Sequence, residues 1–187
     1  MWKLRLKFFL QDFRDETRAS VAVEAALIMP LLLWAYVAVV IFFDGFRTRS
    51  VSEKAAFTIS DMISRETEAI TPAYMNGMHS LFDMLARSDG PTAIRVSVIS
   101  YSGKRDQYVL QWSETRGAME ALKSADIETI AANLPVMTSG EHLILVETHS
   151  EFDPPLNVGL NDLDINTFVF TRPRFASQVV WERTDLL

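Results

Sequence analysis

"AALIMPLLLWAYVAVVIFF", residues 25–43, is the stretch on which the reading of this chain turns: 19 consecutive residues without a charge. At ~1.5 Å of helical rise per residue the stretch covers ~28 Å, close to the ~30 Å hydrocarbon thickness of a bilayer. A soluble chain of 187 residues seldom needs a core helix that is apolar on every face. A cleaved secretory signal would close a ~7–15-residue apolar region with a small-x-small site, whereas "VVIFFDGFR" follows here. The stretch therefore reads as a membrane span, with Pro30 as a bend that membrane helices tolerate.

Working outward, Lys3, Arg5, Lys7, Arg14 and Arg18 precede the span, against Arg47, Arg49 and Lys54 over the comparable distance after it. The excess of basic residues places the N-terminus in the cytoplasm and the bulk of the chain outside it. Leu4 and Phe8, with Trp2 and Leu6, lie beside lysine and arginine in "WKLRLKFFLQDF" (residues 2–13). That pattern suits either an interfacial amphipathic helix or an extended leader. Glu24 stands at the threshold of the span. There a carboxylate either reaches back to interfacial water or pairs with a cation, since ionisable groups at a membrane edge are by default candidates for pairing.

The order of these features resembles a family. "RASVAVEAALIMPLLL" (18–33), continuing as "FRTRSVSEKAAFTISDMISRET" (46–67), is similar to the N-terminus of the TadE/TadG-like proteins of the tight-adherence (Flp, type IVb) pilus system. The shared pattern is a basic leader, a small residue, a glutamate five positions later, a long apolar helix and an Ala-rich amphipathic continuation. A weaker echo lies in "FVFTRPRFASQVVW". Two positions depart from the pattern: Ala19 stands where glycine is usual, and Ala25 follows Glu24 where an aromatic is usual. The resemblance implies a prepilin-peptidase cut between Ala19 and Ser20. It also implies that Glu24 pairs inside the membrane with a freed α-amino group, its own or a neighbouring subunit's. The implied partners are the lipid bilayer, the peptidase and other pilus-assembly or TadE/TadG-like subunits. The implied location is the bacterial inner membrane, with a single pass and a periplasmic C-terminal domain.

Beyond the span the periodicity is mixed. Val51, Ala55, Ile59, Met62 and Ile63 continue a helical pattern, giving one long helix over 19–67, and Thr71-Pro72 breaks it. Tyr74, Met78, Leu81, Phe82 and Leu85 define a second helix, stopped by "SDGP" at 88–91. Ile94, Val96 and Val98 then alternate with polar residues, and "SGKRD" at 102–106 turns the chain into "QYVLQW", a hairpin signature. A third helix is expected over 116–133, and strands over 141–151, "TFVFTRP" and "ASQVVWE". Helices followed by strands without βαβ alternation predict an α+β fold, with helices packed on an antiparallel sheet. The expected organisation is a leader at 1–19, a membrane helix at 20–43 and one pilin-like extracytoplasmic domain at 44–187.

Chemical constellations are sparse. With no cysteine there is no disulfide, thiolate site or cysteine nucleophile. His142 and His149 are seven apart on one expected strand and point to opposite faces. Glu147, His149 and Glu151 share a face, which reads as solvated strand surface rather than a metal site. Asp162, Asp164 and Asn166 mimic the opening of a calcium loop, but Thr167 and Pro173 occupy the places that need Gly and Glu. No catalytic motif is present, so no enzyme, cofactor or metal is expected. Beyond the span 13 basic residues stand against 20 acidic ones, which gives nucleic acid no electrostatic footing. Two functions stay open: a pseudopilin-like assembly component acting through its helix and domain, and a signal-anchored extracytoplasmic binding or sensor domain for which Glu24 is incidental.

Overall fold

The computed structural model describes residues 17–88 and 90–182. The leader, including the segment read as an interfacial helix at 2–13, lies outside the described residues. Two compact units emerge. One contains residues up to Asp44 together with Pro155–Leu160, and the other contains Gly45–Pro154 with the residues from Asn161 onward.

The first element, α1 (Thr17–Ser64), is one helix of 48 residues with Pro30 inside it. It starts two residues before the expected 19–67 helix and stops three earlier. Its apolar half is exposed almost throughout, with Leu27, Met29, Leu33 and Phe43 each about two-thirds open or more. Ala38 and Ile41 are the exceptions: they pack with Val158, and Val37 and Leu160 flank them. Among the described residues this is the single helix with the length and composition of a bilayer span.

In the second unit the periodicity of α1 turns strictly amphipathic. Ser52, Ala55, Ala56, Ile59, Ser60, Ile63 and Ser64 are buried, while Lys54, Phe57 and Thr58 are exposed. This is the i, i+3, i+4, i+7 stripe that a helix turns toward a core. The exposed flank carries Arg49–Glu53 and Asp61–Arg65 pairs at i, i+4, each a contribution of about 0.3–0.5 kcal/mol. The last turn of α1 is closed from a distance, by the Arg174 N–H donating to the Ser64 carbonyl at 2.8 Å.

Helix α2 (Pro72–Ala86) has its start written in Thr71-Pro72. The Thr71 Oγ1 accepts from the Tyr74 N–H, and Pro72 fills a first-turn position where no donor is needed. It ends at Arg87, which takes a left-handed conformation (φ 50°). Met75, Met78, Phe82 and Ala86 form its buried face.

Four strands follow: β1 (Ala93–Ser102), β2 (Gln107–Arg116), β3 (His142–Phe152) and β4 (Leu163–Thr171). They form one antiparallel sheet in the order β2-β1-β3-β4, with a bulge in the β1–β2 pairing at Val98/Ile99. The fold is α+β: a long apolar helix, then a small domain of short helices on an antiparallel sheet. Each face of the sheet has its own core. Ile94, Val96, Val98, Ile144 and Val146 pack with Ile59, Ile63, Met75 and Phe82 from the helices. On the opposite face, Ile99, Leu143 and Leu145 are covered by Leu122, Ile127, Leu134 and Met137.

Two expectations fail here. The helix over 116–133 is instead the end of β2, an irregular stretch, and three short turns: a 3₁₀ turn at Ser124–Asp126, α3 at Ile127–Ile130 and a second 3₁₀ turn at Ala131–Asn133. Gly117 breaks the helix before it starts, with φ 82° and no room for a Cβ beside the Thr92 carbonyl. The Leu122 N–H is then taken by the Ser113 Oγ at 2.9 Å, which holds the segment extended over the sheet. Burial of Leu122 and Ile127 on that face outweighs helix propensity. The expected strand "ASQVVWE" shrinks to a single parallel bridge between Ile70 and Trp181. Its backbone pairs with the α1–α2 connection, through Ile70 N–H to Val180 O and Glu182 N–H to Ile70 O. The Trp112 indole N–H adds a bond to Val179 O, and its ring lies 5.7 Å from that of Trp181.

Candidate functional site

The residues singled out in the sequence lie at two places. On α1, Ala19 and Ser20 fall within the first turn, and Glu24 is one turn further on at the i+4 position from Ser20. Glu24 is exposed, on a stretch where Val21, Leu27, Ile28 and Leu31 are exposed apolar neighbours at helical spacing. An exposed carboxylate in an otherwise apolar helical surface finds no cation partner among the described residues.

The second place is on the sheet. Strand geometry puts alternate residues on one face. The β3–β4 register sets His149 opposite Asn166 and Glu151 opposite Asp164. Four polar side chains from two strands thus meet on the face that also bears Glu147. Of the trio Glu147, His149 and Glu151, the first is withdrawn. Arg95 of β1, paired with it in register, donates Nε and Nη2 to the two Glu147 carboxylate oxygens at 2.6 Å each. Both side chains are mostly buried, and Arg95 Nη1 also reaches the Glu120 carbonyl at 2.9 Å.

Asp164 takes the place that Glu147 leaves. His149, Glu151 and Asp164 each offer a ligand atom, all within 4.8 Å of one another. The His149 Nδ1 lies 2.9 Å from Asn166 Oδ1, and its Nε2 lies 3.5 Å from Glu151 Oε1. Glu151 is fixed at its backbone by Ser88, whose Oγ accepts from the Glu151 N–H and donates to the Glu151 carbonyl. Its carboxylate lies against Gly90, where any Cβ would collide with it. A polar cleft beside it is lined by Gly90, Glu151, Asp153, Asp162 and Asp164. Asp164 and Asn166 themselves lie along β4, so the apparent calcium-loop opening is strand rather than an ion-wrapping loop. His142 starts β3 with the opposite parity to His149 and stays apart from the cluster.

The sequence pointed to His149 and Glu151 by their spacing of two. Asp164 was not read as their neighbour, because it arrives by strand pairing from a distant part of the chain. The polar turn before β3 carries a separate electrostatic feature. The Thr138 N–H donates to Glu141 Oε2 at 2.9 Å, and this bond, with Arg172 nearby, holds the Glu141 carboxyl below the usual carboxylate range. Compared with protein-family models and with curated proteins, the chain matches none.

Proposed function

We propose that this chain is a membrane-anchored, pseudopilin-like component of a tight-adherence pilus or related secretion assembly. In this reading it acts through its helix and its exported domain. The observation that carries it is the composition of α1: one helix holds an exposed apolar stretch of bilayer length, a glutamate near its start, and an amphipathic continuation that forms part of an α+β core. The leader-to-Glu24 pattern of the TadE/TadG-like proteins supports the same reading. The proposal places the N-terminus in the cytoplasm and the α+β domain in the periplasm, following the basic flank.

Within this reading, cleavage between Ala19 and Ser20 turns an interior helical position into a helix N-terminus. A new α-ammonium and the unpaired N–H groups of the first turn then lie one turn from Glu24. In a poorly solvated setting a carboxylate there is matched by its own or a neighbouring chain's ammonium. Removing the carboxylate leaves that cation buried alone, a loss on the order of a few kcal/mol felt when subunits meet.

The test is Glu24→Gln, which keeps shape and polarity while removing the charge. The expected result is normal insertion and accumulation, with loss of photocrosslinks to neighbouring pilus subunits and reduced surface piliation. Wild-type crosslinking and piliation at matched protein level would refute the pairing and leave Glu24 as a group solvated at the interface.

A further inference from the structure

The cluster on β3 and β4 poses a problem of protons. The Asn166 Oδ1 is a carbonyl oxygen and only accepts, so the His149 Nδ1 that faces it at 2.9 Å carries the hydrogen. In the neutral ring this leaves a lone pair on Nε2, directed at Glu151 Oε1 3.5 Å away. That lone pair is the one a metal ion would take. Asp164, whose ligand oxygen completes a set within 4.8 Å, has no hydrogen bond or ion pair for its carboxylate among the described residues. Arg95, the basic residue paired in register with Glu147 on this face, is already committed to that carboxylate.

A cation between Nε2 and the two carboxylates reconciles these groups. We propose that His149, Glu151 and Asp164 form a binding site for a divalent first-row transition ion of the Zn2+ class. The donor set decides the class. One imidazole nitrogen with two carboxylate oxygens suits zinc and its neighbours, whereas calcium takes six to eight oxygens. Bonds of ~2.0–2.2 Å in a tetrahedron put ligand atoms ~3.3–3.5 Å apart. The Nε2–Oε1 separation of 3.5 Å already meets that spacing. Asp164, exposed on the edge strand, lies within 4.8 Å of the other ligand atoms and so has to draw in by at most roughly 1.5 Å, within reach of a side-chain rotation.

The supporting shell is of the kind such sites need. Asn166 fixes the imidazole tautomer and ring orientation, as outer-shell partners of metal-bound histidines do. Ser88 and Gly90 hold Glu151 from behind. Three protein ligands leave one tetrahedral position for water. The bound ion ties β3 to the edge strand β4 at the end of their ladder. This site does not depend on the pilus reading, and either can fail without the other.

The experiment is Zn2+ titration by calorimetry of the full chain in detergent micelles, after stripping with a chelator. It is repeated with Co2+, whose visible spectrum distinguishes tetrahedral from octahedral coordination. The expected result is one saturable Zn2+ site per chain, a tetrahedral Co2+ spectrum, and no competition from equimolar Ca2+. His149→Ala and Asp164→Asn should each weaken binding at least tenfold, and Asn166→Ala by about 10–100-fold through loss of ring orientation. Near-ultraviolet circular dichroism of the metal-free proteins checks each fold, and Glu151→Gln replaces any variant that loses it. Absence of saturable binding overturns the proposal. Binding unchanged in His149→Ala overturns it as well, by placing the ion elsewhere.

Discussion

Breaking the Arg95–Glu147 pair gives the sharpest check on how this sheet is held together. The two side chains are 19% and 14% exposed and joined by two hydrogen bonds of 2.6 Å. Removing one member of a buried pair typically costs about 3–5 kcal/mol, because the survivor is left desolvated and unmatched. The residual exposure of both groups lets water reach the survivor, which lowers the expectation for Glu147→Gln to about 2–4 kcal/mol. Arg95→Met with Glu147→Met should behave differently. It removes both charges and keeps comparable volume, leaving mainly the Glu120 carbonyl without its donor, for a total cost of about 1–2 kcal/mol. The assay is denaturant unfolding of the full chain in a fixed detergent, followed by near-ultraviolet circular dichroism, with Arg95→Met, Glu147→Met and their double closing a cycle beside Glu147→Gln. A Glu147→Gln cost below about 0.5 kcal/mol would mean that solvent screens the pair and that its short geometry carries no stability. A double variant as costly as the two singles together would refute the coupling.

Three other outcomes are expected. Gly117→Ala should destabilise the domain by at least about 2 kcal/mol, since the position combines φ 82° with a Cβ directed into the Thr92 carbonyl; a melting temperature within a degree of wild type would contradict this. Glu141 has a folded pKa below its unfolded one, so its contribution is present above the ordinary carboxylate range and is lost as pH falls through the lowered folded value. The protection factor of the Thr138 amide, taken against the intrinsic exchange rate at each pH, should therefore fall on acidification, and Glu141→Gln should abolish that pH dependence. Intact-mass measurement of membrane-extracted protein should find the chain beginning at Ser20 when a prepilin peptidase is active, whereas a full-length species would make α1 an uncleaved anchor.

What was legible in the sequence was whatever local periodicity determines. The stripe Ala55, Ile59, Ile63 and the helix defined by Tyr74, Met78, Leu81, Phe82 and Leu85 were read from spacing alone, because their burial repeats every turn. The alternation of Ile94, Val96 and Val98 likewise announced β1. Residues 116–133 were misread because their composition favours helix while their fate is set by a glycine conformation and by Ser113 on the neighbouring strand. "ASQVVWE" has the composition of a strand, yet it meets Ile70 rather than the sheet edge, a choice made by tertiary contacts. The cluster followed the same rule. A spacing of two placed His149 beside Glu151, but only the pairing register brings Asp164 in and only a partner on β1 takes Glu147 out.

The closure of α1 bears on the order in which the chain matures. Arg174 donates its N–H to Ser64 and pairs through Nη1 with Asp61 at 3.1 Å, and the Val180–Glu182 backbone clasps Ile70. These groups are synthesised about 110 residues after the helix they complete, and contacts of such sequence separation are the slow ones to form. Until they arrive, the stripe of α1 from Ser52 to Ser64 has a frayed end and an incomplete cover. A nascent chain therefore carries an incompletely covered apolar face until the segment beyond β4 has been made. The end of α1 is thus sealed by the part of the domain that leaves the ribosome last among the described residues, and a chain cut short after β4 keeps its sheet pairings but loses that seal.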